Sequence, residues 1–357
     1  MTGAEPVEHP EPPSVSVVVC ARGDRRWGDL LATVGSVVET LREGDECLLV
    51  IDHHEELWSR AASRFADEAA VRVLRSAYAP GLAGARNTGV LASTGDVIAF
   101  LDDAVASGDW LAHSLAGFAD PSVAAVGSAA LPRWPAGGRP AWFPPEYDWV
   151  IGCSYRGLPQ RDARVRTVLG AAVAFRRDVF SDAGLFTGTL DTASPGCDVT
   201  ELCARLTGIR PQARLLYRPG AIVHRLVPPH RTTVRYFLRR CFEEGVSQSR
   251  SARLAGPVDG IPSDLDHVRR SLPRAAGREF ARAARGRPGA IGAFIMIVLG
   301  AVAAGLGHLR GSVTLPRPVQ RSARRRGGPG RGRADPGHPL PRPRTRHAGA
   351  TLVDQRR

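Results

Sequence analysis

The sequence predicts an α/β protein built on a doubly wound, mainly parallel β-sheet flanked by helices. Short β-branched runs alternate with segments of helical periodicity, and the connections between them are short. Two of the runs also end in aspartates. Because parallel strands need long crossovers, usually helical, this alternation is typical of a parallel sheet. With 357 residues, 43% of them hydrophobic, the chain can bury a large core.

The N-terminal third of the chain carries the repeating part of this pattern. The predicted strands are Ser14–Ala21, Cys47–Asp52, Val71–Leu74 and Val97–Asp103, and the predicted helices are Trp27–Arg42 and Glu55–Ala70. Each strand is a short apolar run bounded by polar residues, whereas the first helix repeats apolar residues at helical spacing. The segment Gly81–Ser93 is predicted as a loop that leads into a further helix.

The remainder of the main domain is less regular. The stretch Leu131–Arg166 is rich in proline, tryptophan and arginine and has no clean period, so we predict a long functional insertion. The run LGAAVAFRRDVFSDAGLF predicts a strand followed by a helix start, and Asp198–Leu206 predicts a short helix. LLYRPGAIVHRL is predicted as two edge strands around a Pro-Gly turn, and Thr232–Arg253 as an amphipathic helix.

The C-terminal part is basic and contains one long apolar segment. The formal charge of +13 arises mainly from arginines after Arg269. Gly289–Gly307 carries no charged residue and is close to the length of about 20 residues that spans a bilayer. We therefore predict a transmembrane or membrane-associated helix. An interfacial helix and a re-entrant segment are the alternatives to a single span.

These features divide the chain into five predicted parts. They are a disordered leader (1–13), the main domain (14–255), a basic juxtamembrane linker (256–288), the apolar helix (289–307) and a disordered Arg/Pro/Gly-rich tail (308–357). The tail has too few apolar residues to bury a core. It either binds anionic lipid or nucleic acid, or is simply solvated. We favour the solvated tail, and nucleic acid is not expected as a partner.

Acidic residues at strand ends are the first candidate functional groups. Asp52 ends the second predicted strand, and Asp102 and Asp103 end the fourth. Ligands of open α/β sheets bind outside the carboxyl ends of the strands, so these side chains should converge on one crevice. Carboxylate oxygens are the ligands that Mg²⁺ and Mn²⁺ prefer. Turn formation and helix capping are the alternative roles.

Four further polar residues are candidates for the same crevice. Arg86 and Asn87 lie where they would contact a diphosphate or brace the carboxylates, with a surface salt bridge as the alternative for Arg86. Asp198 opens a helix and is either a general base or an ordinary first-turn acid. His224 ends the run AIVH and is either a metal ligand or a packed structural residue.

Taken together, the motifs resemble those of family 2 glycosyltransferases over about Pro13–Arg250. The strings GLAGARNTG, TGDVIAFLDD, GAAVAFRR and RPGAIVH occur in the order typical of that family. GCSYRGLP and FLRRCFEEGVSQS are closer to a subgroup of polyprenyl- or dolichyl-phosphate-linked sugar transferases. Polysaccharide synthases of this family typically carry a QxxRW motif and several spans, which this sequence lacks.

The resemblance implies a GT-A fold with a Rossmann-like sheet, an inverting displacement and Mg²⁺ or Mn²⁺ as cofactor. The expected donor is a UDP-, GDP- or dTDP-linked sugar, and the expected acceptor is lipid-linked or a cell-envelope glycan. By resemblance Asp52 would bind the nucleotide, Asp102 would be the first acid of the DxD-type motif, and Asp198 would be the base. The protein is also expected to act at the cell membrane, with its catalytic domain in the cytoplasm.

Several positions depart from the family pattern. Ala104 replaces a frequent third acid, Ala172 replaces an asparagine, Cys197 replaces a glutamate and Arg225 replaces a second histidine. Each difference removes or changes a polar group of the expected site. The alternative function is therefore a catalytically impaired member that acts as a membrane-associated scaffold or partner-binding module.

Overall fold

A mixed β-sheet forms the centre of the molecule. The computed structural model describes residues 12–23, 26–187, 198–254 and 271–313. The predicted leader up to residue 11, Cys197, the first part of the linker and the tail beyond residue 313 lie outside these ranges. The described strands are β1 (Val15–Ala21), β2 (Glu46–Ile51), β3 (Val71–Arg75), β4 (Val97–Leu101), β5 (Ala104–Ala106), β6 (Val123–Arg133), β7 (Ala163–Val165), β8 (Ala172–Arg176) and β9 (Arg214–Leu226).

Helices flank the sheet on both sides. They are α1 (Trp27–Val38), α2 (Glu55–Arg64), α3 (Leu82–Ala92), α4 (Trp110–Ala116), α5 (Asp178–Asp182), α6 (Asp198–Ile209), α7 (Val234–Leu254), α8 (Leu272–Ala284) and α9 (Ala290–Val313). Short 3-10 helices cover Gly117–Ala119, Pro145–Ile151 and Pro229–Thr232. The segment predicted as a loop after Gly81 is thus helical from Leu82 onward.

The sheet order is β3-β2-β1-β4-β8-β6-β9-β5, with β7 paired to β9. The first four strands in this order are parallel, as predicted. The other half is mixed, because β8 runs antiparallel to both β4 and β6, and β9 pairs antiparallel with β5 and β7. The α/β class is confirmed, but "mainly parallel" is wrong for this half. The chain enters β8 from an irregular insertion instead of a helical crossover, so nothing forces a parallel pairing there.

The prediction of two edge strands around Pro219 and Gly220 is wrong. The segment is one continuous strand, β9, which lies between β6 and β5. Ser128 pairs with Arg218 and the next residue, Ala129, pairs with Ile222, so residues 219–221 bulge out of the ladder. Proline has no N–H to donate to a ladder, and a bulge is one of the places where a strand tolerates it.

Alternation along the strands divides the core between the two faces of the sheet. In β1, Val17 and Val19 belong to one cluster, while Val18 belongs to the cluster on the opposite face. A third cluster lies under the C-terminal helices and includes Phe143, Tyr147, Phe237, Met296 and Ile297. The predicted insertion thus packs largely against α7 and α9, which anchors the C-terminal helices to the sheet domain.

The helix α9 is held against α7 through glycines. A Cβ at Gly307 would lie 2.0 Å from the backbone oxygen of Phe242, whereas a Cβ at Gly305 would meet nothing within 4 Å. We expect Gly307→Ala to lower the free energy of unfolding by about 1–3 kcal/mol through overpacking. Gly305→Ala should be neutral or stabilising by up to about 1 kcal/mol. Chemical unfolding of both variants in the same mild detergent measures the difference, and equal stabilities would contradict this packing.

Candidate active site

Two of the predicted acids lie at the carboxyl ends of two parallel strands, β2 and β4, of the same sheet. Asp52 follows β2, and its backbone N–H donates to Ala21 at 2.8 Å. Asp102 follows β4, and its N–H donates to Ala171 at 3.0 Å. Strand β1, which lies between β2 and β4, ends at the same edge and contributes Cys20. The crevice predicted at the carboxyl ends of the strands is therefore formed at this edge of the sheet.

Arg86 joins two of the predicted site residues. Its side chain is only 1% exposed, and Nη1 donates to Asp198 Oδ2 at 2.5 Å while Nη2 donates to Asp102 Oδ2. Nη2 also donates to the backbone oxygen of Gly170 at 3.0 Å. Helix α3 supplies the guanidinium, β4 supplies Asp102, and α6 begins with Asp198. Arg86 is thus a buried brace and not a surface salt bridge.

The two carboxylates of this cluster share the Arg86 guanidinium. Burial raises the pKa of Asp102, and the Arg86 guanidinium opposes that shift. Burial works against the charge of Arg86, yet the Asp102 and Asp198 carboxylates outweigh it and raise the pKa of Arg86. One guanidinium faces two carboxylates, and the buried Asp102 Oδ1 has no hydrogen-bond partner among the residues that the structure describes. A buried acceptor oxygen without a partner is costly, so this corner suits a cation.

Asp52 connects two elements of the crevice. Its carboxylate accepts from the Gly81 N–H, with distances of 3.1 Å and 3.3 Å to the two oxygens. His53 Nδ1 lies 2.9 Å from Oδ1, and Arg22 Nε lies 3.7 Å from Oδ2. The carboxylate therefore links the end of β2 to the start of α3, which is distant in sequence. It does not form a local turn.

The structure does not assemble the predicted three-ligand metal site. Asp103 adopts a left-handed conformation with φ of 49°, and its half-exposed carboxylate lies 3.0 Å from Arg26 Nη1. His224 is exposed on β9, where it pairs with Val105, two residues beyond Asp103. Over the described ranges, no three His, Cys, Asp or Glu side chains are grouped to hold a metal. The described structure therefore does not group His224 with Asp102 and Asp103, and the role of His224 as a metal ligand stays a prediction.

Asn87 has a different partner from the one predicted. Its amide nitrogen donates to the backbone oxygen of Phe186 at 2.9 Å, and its amide oxygen accepts from the Phe186 N–H at 2.9 Å. The ring of Phe186 packs edge-on against Phe100. Since both ends of the amide are engaged, Asn87 anchors the chain after β8 and does not reach into the crevice.

Sequence reasoning missed Cys20 and Arg225 as parts of the site, whereas Arg231 is a residue that it places near phosphates of the donor or acceptor. The pKa of the Cys20 thiol is raised well above its usual value. Burial is the larger cause, and the negative charge of Asp102 is the second. A group of guanidiniums also lies beside the crevice, since Arg225 Nη1 donates to the backbone oxygen of Asp102 at 3.1 Å. The buried Nε atoms of Arg225 and Arg231 lack a hydrogen-bond partner within the described part of the chain. The departure from a second histidine at Arg225 was the available signal.

These guanidiniums repel one another. Burial lowers the pKa of Arg231, and the like charges of Arg225 and Arg26 lower it further. Arg26 also borders a cavity of about 440 Å³, whose lining includes Arg133, Trp134 and Leu226. Clustered, partly buried guanidiniums with unused donors are the arrangement that recognises phosphate oxygens.

Comparison with known proteins defines the class of this fold and site. The profile of Glycosyl transferase family 2 matches residues 16–184. The fold matches that of the mannosyltransferase PcManGT from Pyrobaculum calidifontis, solved in complex with GDP-Man and Mn²⁺, with a TM-score of 0.55 at 18% identity over 83% of this chain and 87% of that one. The protein is thus an α/β enzyme with the GT-A fold.

Curated relatives support the same assignment. The glucosyl-dolichyl phosphate glucuronosyltransferase of Haloferax volcanii is 31% identical over 242 residues, which cover 66% of this chain and 76% of the relative. The pre-mycofactocin glycosyltransferase of Mycobacterium tuberculosis is 32% identical over 249 residues, which cover 66% of this chain and 48% of that relative. The chain belongs to glycosyltransferase family 2, and it is a glycosyltransferase.

Proposed function

We propose that this enzyme transfers a single sugar from a nucleoside-diphosphate sugar to a lipid-linked or cell-envelope glycan acceptor, with inversion at the anomeric carbon. The observation that carries the proposal is the joining of Asp102 and Asp198 by the buried Arg86 at the carboxyl edge of the sheet. This arrangement puts a candidate cation ligand and a candidate base on either side of one guanidinium. The Haloferax volcanii relative, named for transfer on glucosyl-dolichyl phosphate, supports a lipid-linked acceptor.

The carboxylate oxygens at Asp102 suit a divalent cation, Mg²⁺ or Mn²⁺. The fit rests on the unpartnered, buried Oδ1 of that residue and on the sharing of one guanidinium, that of Arg86, between Asp102 and Asp198. Asp103 is the proposed second ligand, because among the described residues its half-exposed carboxylate pairs with Arg26 and no other cation. When bound, the cation would offset the charge that develops on the leaving diphosphate. Arg225 and Arg231 are proposed to donate to the same phosphate oxygens.

Asp198 is the proposed general base. Its Oδ1 accepts from the Val199 N–H at 2.9 Å and its Oδ2 accepts from Arg86, so both oxygens are held in a fixed orientation. In the proposed step the acceptor hydroxyl oxygen bonds to the anomeric carbon, the bond from that carbon to the diphosphate breaks, and the hydroxyl proton moves to Asp198. Arg86 is a positioning residue in this scheme, and Asp52 is proposed to accept from the ribose or base of the nucleotide.

The cell membrane is the proposed site of action, with the catalytic domain on the cytoplasmic side. The described helix α9 is apolar and long enough to cross a bilayer by length and composition, and the similarity to an enzyme of dolichyl-phosphate chemistry is consistent with a membrane substrate. Nucleotide sugars are cytoplasmic metabolites, which supports this orientation of the domain.

Removal of the Asp102 carboxylate should abolish donor binding. Asp102→Ala removes Oδ1, the proposed cation ligand, which has no hydrogen-bond partner among the described residues. The diphosphate then loses its cation. Isothermal titration with UDP-, GDP- and dTDP-sugars in the presence of Mn²⁺ measures the effect. Asp109→Ala is the matched control, because Asp109 is an exposed acid paired with His113. Undiminished affinity in Asp102→Ala would disprove the ligand assignment.

A transfer assay tests the function itself. The full-length enzyme is incubated with sugar-labelled UDP-, GDP- and dTDP-donors, with polyprenyl phosphate or glucosyl polyprenyl phosphate as acceptor probe, and with Mn²⁺ or a chelator. We expect label from one donor class to enter the organic phase, and only with the cation. Binding of a donor without turnover on any acceptor or on water would instead support the scaffold alternative.

A further inference from the structure

Helix α9 presents two different faces. One face is buried against the protein and consists largely of small residues, among them Ala290, Ala293, Gly300, Gly307 and Gly311. The opposite face is exposed and apolar, with Ile291, Ile295, Val298, Val302, Leu306 and Leu309 between 44% and 62% accessible. Phe280 of α8, also 62% accessible, extends this surface. An exposed apolar strip of this length on a docked helix indicates that the strip contacts an apolar environment.

The buried face is attached to the catalytic domain along the whole helix. A Cβ at Gly289, immediately before α9, would lie 2.5 Å from the Cβ of Ala141. Near the middle, the Tyr147 hydroxyl donates to the backbone oxygen of Ile297 at 2.9 Å. At the far end, a Cβ at Gly311 would lie 2.9 Å from the Cβ of Ser249. Buried residues thus occur from the first residue of α9, Ala290, to Gly311 near its end.

The partner helix α7 cannot enter a hydrocarbon layer. It runs beside the second half of α9, with Phe242 against Gly307 and Gly245 against Ala304. The same helix carries Arg235, Arg239, Arg240, Glu243 and Glu244 within ten residues. Charged side chains in the bilayer core are costly. If α9 spanned the membrane, it would either draw these charges inside or detach from α7.

We propose that α9 lies in the plane of the membrane interface, with its exposed face among the acyl chains of a bilayer containing anionic lipids. The charge around the strip matches that partner, because residues 271–313 contain six arginines and a single acid, Glu279. Arg274, Arg282, Arg285 and Arg287 are exposed near its start, and Arg310 is exposed near its end. Basic residues beside an apolar helical face attract anionic headgroups.

This placement replaces the transmembrane interpretation and is independent of the proposed chemistry. A helix of 24 residues is about 36 Å long. In the plane of the interface, this length of helix forms an anchor that lies beside α7. Both ends of α9 then stay on the same side of the membrane as the catalytic domain.

Depth measurements separate the in-plane helix from a span. A genetically encoded spin label replaces Ile295, Val302 or Leu309 in the full-length protein, bound to phosphatidylcholine vesicles with or without phosphatidylglycerol. Accessibility to oxygen and to a polar nickel complex then reports the depth of each label. We expect one shallow depth for all three positions. A deep label at residue 302 flanked by shallower labels at 295 and 309 would overturn the proposal.

Vesicle flotation tests the surface by mutation. Val302→Asp should weaken binding to vesicles with phosphatidylglycerol at least about tenfold, because the carboxylate opposes insertion of the apolar face. Ile209→Asp is the matched control, since Ile209 is a similarly exposed apolar residue on α6. Both variants should keep the thermal midpoint of the wild type. Equal binding of the two variants, no binding by the wild type, or a dimer that Val302→Asp dissociates would each overturn the proposal.

Discussion

Replacing Arg86 with methionine should lower the free energy of unfolding by about 3–5 kcal/mol, because it leaves Asp102 and Asp198 as buried, uncompensated charges. The guanidinium is almost completely enclosed and donates to both carboxylates. Methionine fills much of the same volume, so the loss reports charge rather than a cavity. Urea titration followed by circular dichroism measures the change.

Two comparisons make this expectation specific. Arg64→Met, on the exposed surface of α2, should change stability by less than about 0.5 kcal/mol. Adding Asp198→Asn to Arg86→Met removes one of the two stranded charges and should recover part of the loss. If Arg86→Met is as stable as Arg64→Met, or if the double variant is no better than the single one, Arg86 does not balance these carboxylates.

Asp198→Asn should reduce sugar transfer by about 10²–10⁴-fold while donor affinity stays close to that of the wild type. Asparagine keeps the size of the side chain and an oxygen that accepts from Arg86 and Val199, but it does not take up a proton. Single-turnover assays with saturating donor measure the chemical step, and titration calorimetry measures the affinity.

The control for this variant is Asp182→Asn. Asp182 is a partly exposed acid on α5 that pairs with Arg210, away from the crevice, and its replacement should leave transfer unchanged. Turnover of Asp198→Asn within a few-fold of the wild type would remove Asp198 from the role of base. A parallel loss of donor affinity would show that it positions the donor instead.

The sequence predicts the half of the fold in which each strand and helix has its own local pattern of apolar residues. Strands β1 to β4 are short apolar runs separated by helical periods, and this alternation predicts that they are parallel. The convergence of Asp52 and Asp102 follows from the same rule, since both end parallel strands. Asp198 was identified from a helix start, and the structure brings it to Asp102 through Arg86.

The other half depends on contacts between residues far apart in sequence. The antiparallel entry of β8 and the bulge at Pro219 in β9 are set by their neighbour β6, which no local pattern reveals. The partners of polar side chains are equally remote, as for Asn87 with the Phe186 backbone and Arg26 with Asp103. Such contacts are absent from the local sequence pattern, which is why the sequence does not predict them.

Helix α9 illustrates the same limit at the scale of a whole element. An uncharged run rich in glycine and alanine predicts an apolar helix, and α9 is one, extending six residues beyond Gly307. Its glycines alone do not reveal the packed face, because Gly307 is buried whereas Gly305 is exposed. The contact with charged α7 decides between a span and an in-plane helix, and that contact exists only in the folded molecule.

Thermal-shift measurement with a panel of UDP-, GDP- and dTDP-sugars, each with and without Mn²⁺, tests the central claim most directly. The claim is that the carboxyl edge of the sheet, around Asp102, holds a cation-bound nucleoside diphosphate. We expect one nucleotide class to raise the unfolding midpoint of the wild type only when Mn²⁺ is present, and to have no effect on Asp102→Ala. Stabilisation by none of the donors, or an equal shift in wild type and Asp102→Ala, would contradict it.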